Sequence, residues 1–194
     1  MKTEQGTVAG GRVKAWGQYT PKDSRAAYGA GSEQCRVVHM TNQVAVLLHD
    51  IRSTHNVGSI FRTADAAGVS RVYLTGYTPA PVDRFGRARK DVAKTALGAE
   101  KFLLWEHHPS PSRLIAKLKK EGWHIVGVEQ DERAVDYRTF TAKGNTVFVL
   151  GNEVSGIPKD VRKKCDALIE IPMHGKKESL NVSVAAGIIL FSVR

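Results

Sequence analysis

A chain of 194 residues, 42% of them hydrophobic and 25% charged, has the size and composition of one globular domain able to bury a proper core. Its 29 lysines and arginines against 19 aspartates and glutamates give a formal charge of +10, which points to a polyanionic partner, either nucleic acid or an anionic membrane surface. No apolar run approaches the roughly 18 residues that span a bilayer, and Met1 to Gln43 holds neither a signal-peptide core nor an acyl-anchor motif, so a soluble, cytoplasmic protein is expected.

Met1 to Gln43 carries Gly6, Gly10, Gly11, Gly17, Gly29 and Gly31 among scattered bases, a composition that buries little apolar area against its ordering entropy. It reads as a basic arm preceding a domain from Val44 to Arg194. The arm is either a mobile terminus or a segment that settles on nucleic-acid phosphates, with Trp16, Tyr19 and Tyr28 available for stacking. Cys35 and Cys165 lie far apart with no metal-ligand spacing around them; both are expected to be reduced and structural, and no metal site is expected.

Val44 to Leu48 is a continuous apolar run, the pattern of a parallel strand buried on both faces. The polar stretch from His49 to Asn56 follows, with Asn56 placed to cap a helix whose apolar stripe is Val57, Ile60, Phe61 and Ala64. Gly58 allows close approach of backbone or substrate. Arg62 stands at three-residue spacing from Ser59 and Asp65, where it serves either a polar site at the sheet edge or a stabilising ion pair. A second strand spans Arg71 to Thr75. The stretch TPAPVDRFGRARKDVAKTALGAEK then reads as a loop, and its Arg84, Arg87, Arg89, Lys90 and Lys94 suit contact with a nucleic-acid backbone.

Phe102 to Trp105 suggests a third strand, His107-His108 a solvated loop, and Pro111 to Glu121 an amphipathic helix with Leu114, Ile115 and Leu118 inward. Trp123 to Val128 and Thr146 to Leu150 are further strands, separated by a weakly patterned segment from Asp131 to Phe140 that suggests a short helix and turn. Beyond Val147 one arrangement occurs twice: a β-rich run ends in a polar turn, Gly151-Asn152-Glu153 and then Pro172-Met173-His174-Gly175, and leads to a helix. The last helix, Leu180 to Val193, is apolar on nearly every face, which suits a core or a twin subunit, and Ser179 looks like its N-cap. Alternating strands and helices predict an α/β fold with a mostly parallel sheet flanked by helices. Neither the G-x-G-x-x-G fingerprint nor a Walker loop occurs, which disfavours the usual nucleotide-binding folds.

Three segments, NVGSIFRTADAAG, LGNEVSGIP and IPMHGKKESLNVSVAAG, stand in the order of the three motifs of the SpoU (TrmH) family of RNA ribose 2′-O-methyltransferases in the SPOUT superfamily, and the resemblance runs from Val44 to Phe191. It implies a C-terminal trefoil knot, S-adenosyl-L-methionine as cofactor, a homodimer with its active sites near the subunit interface, and methylation of a ribose 2′-hydroxyl in structured RNA. Transfer RNA is the leading substrate and ribosomal RNA the alternative; a catalytically silent RNA-binding protein is the rival from another class. Carried onto this chain, the resemblance implies a catalytic set of Arg62, Asn56, Glu153, Ser179 and Asn181. It implies a cofactor pocket formed by Leu150, Gly151, Asn152, Ile171, Met173, Ser179 and Leu180. Glu153 is expected to pair with Arg62 or to orient Asn152. A guanidinium is a poor base, so Arg62 is expected to hold the reacting hydroxyl and its phosphate, with His55 as an outside candidate for the base.

Overall fold

The computed structural model describes residues 42–193. The expectations for Trp16, Tyr19, Tyr28 and Cys35 lie outside that range. Seven strands form one sheet: β1 (Val44–His49), β2 (Arg71–Thr75), β3 (Trp105–His108), β4 (His124–Val128), β5 (Val135–Asp136), β6 (Thr146–Leu150) and β7 (Ala167–Glu170). Their order is β3-β2-β1-β6-β4-β7-β5, and every pairing is parallel. All carboxyl ends therefore reach the same edge, where open α/β sheets bind ligands.

The apolar run of β1 is buried at all six positions. Val44, Val46 and Leu48 pack into one cluster and Ala45 and Leu47 into the other, as the two-residue side-chain period requires. On the first face lie α1 (Thr54–Ala66), α2 (Lys90–Ala96), α3 (Ala99–Phe102) and α6 (Val182–Ser192). On the second lie α4 (Pro111–Lys120), through Leu114, Ile115 and Leu118, and α5 (Lys159–Arg162), through Val161. Among the described residues no helix is long and apolar enough to cross a membrane.

Several local expectations are corrected. The N-cap of α1 is Ser53, whose hydroxyl accepts from the Asn56 N–H at 3.3 Å, so Asn56 sits inside the helix with its amide free for other work. The stretch from Thr78 to Lys101 is not all loop: Val92 and Ala96, one helical turn apart, bury against α1 and hold α2 together despite its polar surface. Leu97 and Gly98, both with positive φ, end α2 and turn the chain into α3. The third strand starts at Trp105 rather than Phe102, and His107 and His108 belong to it; Glu106 meets both Arg71 and His108. In residues 131–140 the short helix is there as a 3-10 helix at Tyr137–Thr139, and the two-residue strand β5 before it is the part not expected. Asn181, not Ser179, caps the last helix, accepting from the Ser183 N–H at 2.9 Å.

Gly58 lies buried where α1 crosses α2, and a Cβ there would overlap the Val92 carbonyl oxygen and the Thr95 hydroxyl. Alanine is favoured over glycine in a helix interior by about 1 kcal/mol, but a clash with backbone cannot be relieved by a rotamer change. Gly58→Ala is therefore expected to lower stability by about 1–3 kcal/mol, measured by urea unfolding. A stabilised variant would show that α2 moves freely on α1.

Candidate active site

Four of the parallel strands deliver polar turns to the shared edge. After β1 come Arg52 and Ser53, after β6 come Gly151, Asn152 and Glu153, after β4 come Glu129 and Gln130, and after β7 comes the segment leading to Asn181. Glu153 joins the first two turns. Its carboxylate accepts from the Arg52 N–H at 3.0 Å, the Ser53 N–H at 3.1 Å and the Asn56 amide at 2.9 Å. Asn56 in turn accepts from the Asn181 amide at 3.1 Å, so one chain of hydrogen bonds runs from the β6 turn through α1 to the cap of α6. Partial burial pushes the Glu153 carboxyl up, but hydrogen-bond donors, the Arg52 N–H and the Asn56 amide first among them, outweigh it and hold the group below its ordinary range.

The partner of Glu153 thus differs from both expectations: it binds neither Arg62 nor Asn152. Asn152 faces the other way, donating to the Asp50 carbonyl at 2.8 Å and the Tyr77 hydroxyl at 3.0 Å, while its own oxygen accepts from the Val154 and Ser155 N–H groups at 2.9 Å. Gly151 is required by close packing, because a Cβ there would meet the Gly156 and Ile157 backbone.

Beside this network, at the ends of β4 and β7, a cleft enclosing about 150 Å³ is walled by Val128, Ile171, Met173, Leu180 and Ala185, with Glu129, Glu170 and Ser179 at its margin. It gathers four of the expected cofactor residues, Ile171, Met173, Ser179 and Leu180. Leu150 and Asn152 are buried elsewhere and Gly151 packs under its own loop, so none of the three lines the cleft. Sequence reasoning missed Glu129 and Gln130. Glu129 accepts from the Ile157 N–H at 2.6 Å and closes the β6 loop, and the Gln130 amide donates to the Glu178 carbonyl at 2.7 Å, steadying the segment before α6. The signal was present, since β4 ends in polar residues as β1 and β6 do.

Arg62 is not brought to this group. It is exposed on α1 in a separate cleft of about 480 Å³ with Lys94, Thr95, Leu97 and Phe191, and no acid pairs with it among the described residues. His55 is exposed on the first turn of α1. The five expected RNA-binding residues also divide. Arg84, Arg87 and Arg89 line one cleft, while Lys90 and Lys94 project from α2. Asp83 neutralises Arg87 at 2.7 Å and Asp91 neutralises Arg89 at 2.8 Å. Cys165 is free, and burial pushes its thiol up to about 11, which makes it a poor nucleophile. No metal-binding cluster occurs among the described residues.

Comparison with known proteins agrees with this geometry. Residues 43–191 match the model of the SpoU rRNA Methylase family. A putative TrmH family tRNA/rRNA methyltransferase of Staphylococcus haemolyticus is 37% identical over 148 residues, and the 23S rRNA (guanosine-2′-O-)-methyltransferase RlmB of Xanthomonas axonopodis pv. citri is 34% identical. Each match covers 76% of this chain and 57% of the relative, so the chain spans little more than half the length of these proteins. Among solved structures, an AdoMet-bound rRNA methyltransferase from Sinorhizobium meliloti superposes with a TM-score of 0.70 at 30% identity, covering 77% of this chain and 55% of that one. The TrmH/SpoU tRNA modifying enzyme of A. aeolicus superposes with a TM-score of 0.68 at 30% identity, covering 78% and 75%. With the three motifs assembled on one parallel sheet edge and the match extending over residues 43–191, the chain belongs to the SpoU rRNA Methylase family.

Proposed function

We propose that this chain is an S-adenosylmethionine-dependent RNA methyltransferase that modifies a ribose 2′-hydroxyl. The observation that carries it is the hydrogen-bonded chain Glu153–Asn56–Asn181, which ties residues of all three motifs together beside an apolar cleft. The cleft fits the cofactor by its chemistry. Val128, Ile171, Met173 and Leu180 offer apolar surface to an adenine ring, and Glu129 and Glu170 offer carboxylates to hydroxyl or cationic groups. At about 150 Å³ it falls below the roughly 300–1,000 Å³ of a pocket that swallows a whole ligand, so it seats one end only. When bound, S-adenosylmethionine supplies an electrophilic methyl group on a sulfonium. Asn56 and Asn181 fix the α6 cap at the cleft margin, and Ser179 and Leu180 hold the neighbouring segment. Arg62 donates to the reacting oxygen and its phosphate, stabilising charge as the hydroxyl passes its proton to a base. His55, on the first turn of the same helix, is the candidate to accept it.

Arg62 lies in a different cleft from Met173 and Leu180. A homodimer resolves the split: a second copy seated on α1 and α6, covering Val184 and Phe191, presents its Arg62 to this chain's cofactor. Both side chains are large, apolar and about half exposed. The family resemblance further supports a trefoil knot in the segment that carries the chain from β7 to α6. Transfer RNA is the leading substrate, supported by the likeness to the A. aeolicus tRNA modifying enzyme at 30% identity and a TM-score of 0.68. The 34% identity to RlmB favours ribosomal RNA as the second reading.

The test is transfer of labelled methyl to purified tRNA and rRNA, followed by alkaline hydrolysis. Label in alkali-resistant dinucleotides of one RNA class is expected. Label in mononucleotides would mean a base acceptor and would overturn the ribose assignment.

A further inference from the structure

The cleft lined by Arg84, Arg87 and Arg89, of about 510 Å³, opens at the carboxyl end of β2 and holds two aromatic rings, Tyr77 and Phe85, that are 60% and 66% exposed. Exposed rings gain little from folding, yet both are held in place. Tyr77 is fixed at each end: its N–H donates to Asp50 Oδ1 at 3.0 Å and its hydroxyl accepts from Asn152 Nδ2 at 3.0 Å. Phe85 sits on a turn built by Asp83, whose Oδ1 accepts from the N–H groups of Phe85 at 2.8 Å and Arg87 at 3.0 Å. The guanidinium carbons of Arg84 and Arg87 stand 4.7 Å and 5.0 Å from the Phe85 ring centroid. Arg87 is neutralised by Asp83, whereas Arg84 has no acidic partner among the described residues. The cleft therefore combines pre-positioned π-surfaces with one cation that no acid neutralises among the described residues, which is the chemistry that grips an unpaired nucleotide: base on ring, phosphate on guanidinium.

We propose that this cleft binds an unpaired nucleotide flanking the methylated one, its base held against Tyr77 and Phe85 and its phosphate at Arg84. The inference rests on the RNA methyltransferase reading and adds to it that the RNA is gripped at a loop or bulge, since a base inside a duplex exposes no face to stack on. The Tyr77–Asn152 bond places the cleft one residue from Glu153, so a nucleotide held there sets the register of its neighbour at the active site.

The experiment is a fluorescence titration of the full chain with a short single-stranded RNA carrying 2-aminopurine, whose emission falls on stacking, and with the same sequence in a duplex. Single-strand binding with quenching is expected. Phe85→Ala and Tyr77→Ala should each weaken it about tenfold, and Phe85→Tyr should retain it. Arg84→Ala should reduce the salt dependence by about one phosphate contact. Phe85→Ala should keep the thermal midpoint, because its ring is exposed and makes no hydrogen bond, and Tyr77→Phe, which gives up only the Asn152 contact, should retain quenching. Unchanged affinity and quenching in the alanine variants would overturn the inference while leaving the enzyme reading intact, and equal losses on duplex RNA would do the same. Altered self-association with unchanged RNA affinity would assign the cleft to a second copy of the chain and overturn it as well. A wild-type chain that binds no RNA would sink the enzyme reading together with the inference.

Discussion

Arg62→Ala is expected to cut methyl transfer by at least about a hundredfold while leaving the unfolding midpoint and cofactor affinity unchanged. Arg62 is exposed, pairs with no acid among the described residues and lines a cleft separate from the one that suits the cofactor, so neither stability nor cofactor binding depends on it. The geometry makes a sharper test available. Leu180→Asp puts a carboxylate into the apolar cleft and should abolish cofactor binding, read by calorimetry. If Arg62 serves the partner's site, mixing the two inactive variants restores activity. Random reassortment makes half the dimers mixed, each with one complete site, giving about one quarter of wild-type activity. A mixture as dead as its components, with exchange of subunits verified by sedimentation, would place Arg62 in its own chain's site and remove the reason for a dimer.

The parts of the fold that were legible in the sequence are those where one force dominates. Val44–Leu48 is buried on both faces and reads as such, and the Leu114, Ile115 and Leu118 stripe defines α4 by its spacing alone. Where two devices compete, local pattern misleads. Ser53 and Asn56 are both good N-cap residues, as are Ser179 and Asn181, and propensity does not rank them. The choice is made by a contact about a hundred residues away in sequence, because Glu153 takes the Asn56 amide and leaves the cap of α1 to Ser53. In α2 the basic residues mask an i,i+4 pair, Val92 and Ala96, that only the neighbouring α1 makes worth burying. The site shows the same division. Motif order announced Asn56, Glu153 and Asn181, and the structure joins them. The separation of Arg62 from that trio, the turn of Asn152 toward Tyr77 and the role of Glu129 all depend on how strand ends fall along the edge, for which the chain carries no periodic signal.

Glu153→Gln should loosen the joint that holds the motifs together, and its effect should depend on pH in a defined direction. The carboxylate accepts three hydrogen bonds, two of them from backbone N–H groups, and an amide supplies only one accepting oxygen in place of two. Losing a charged acceptor from such a cluster costs about 1.5–3 kcal/mol, with water offsetting part of it because the group is only half-buried. Since the folded carboxyl sits below its unfolded value, its stabilising contribution is complete above the unfolded value of about 4.3 and disappears as pH falls through the lower folded one. Urea unfolding at neutral pH should therefore separate wild type from Glu153→Gln, and the two curves should converge in acid, below the unfolded carboxyl value, as the wild-type carboxyl protonates. Activity should fall further than stability, by about tenfold or more, because the Asn56 amide loses the acceptor that aims it and with it the fixed position of Asn181 at the cleft margin. A stability difference that persists unchanged into acid would show that the clamp depends on shape rather than charge.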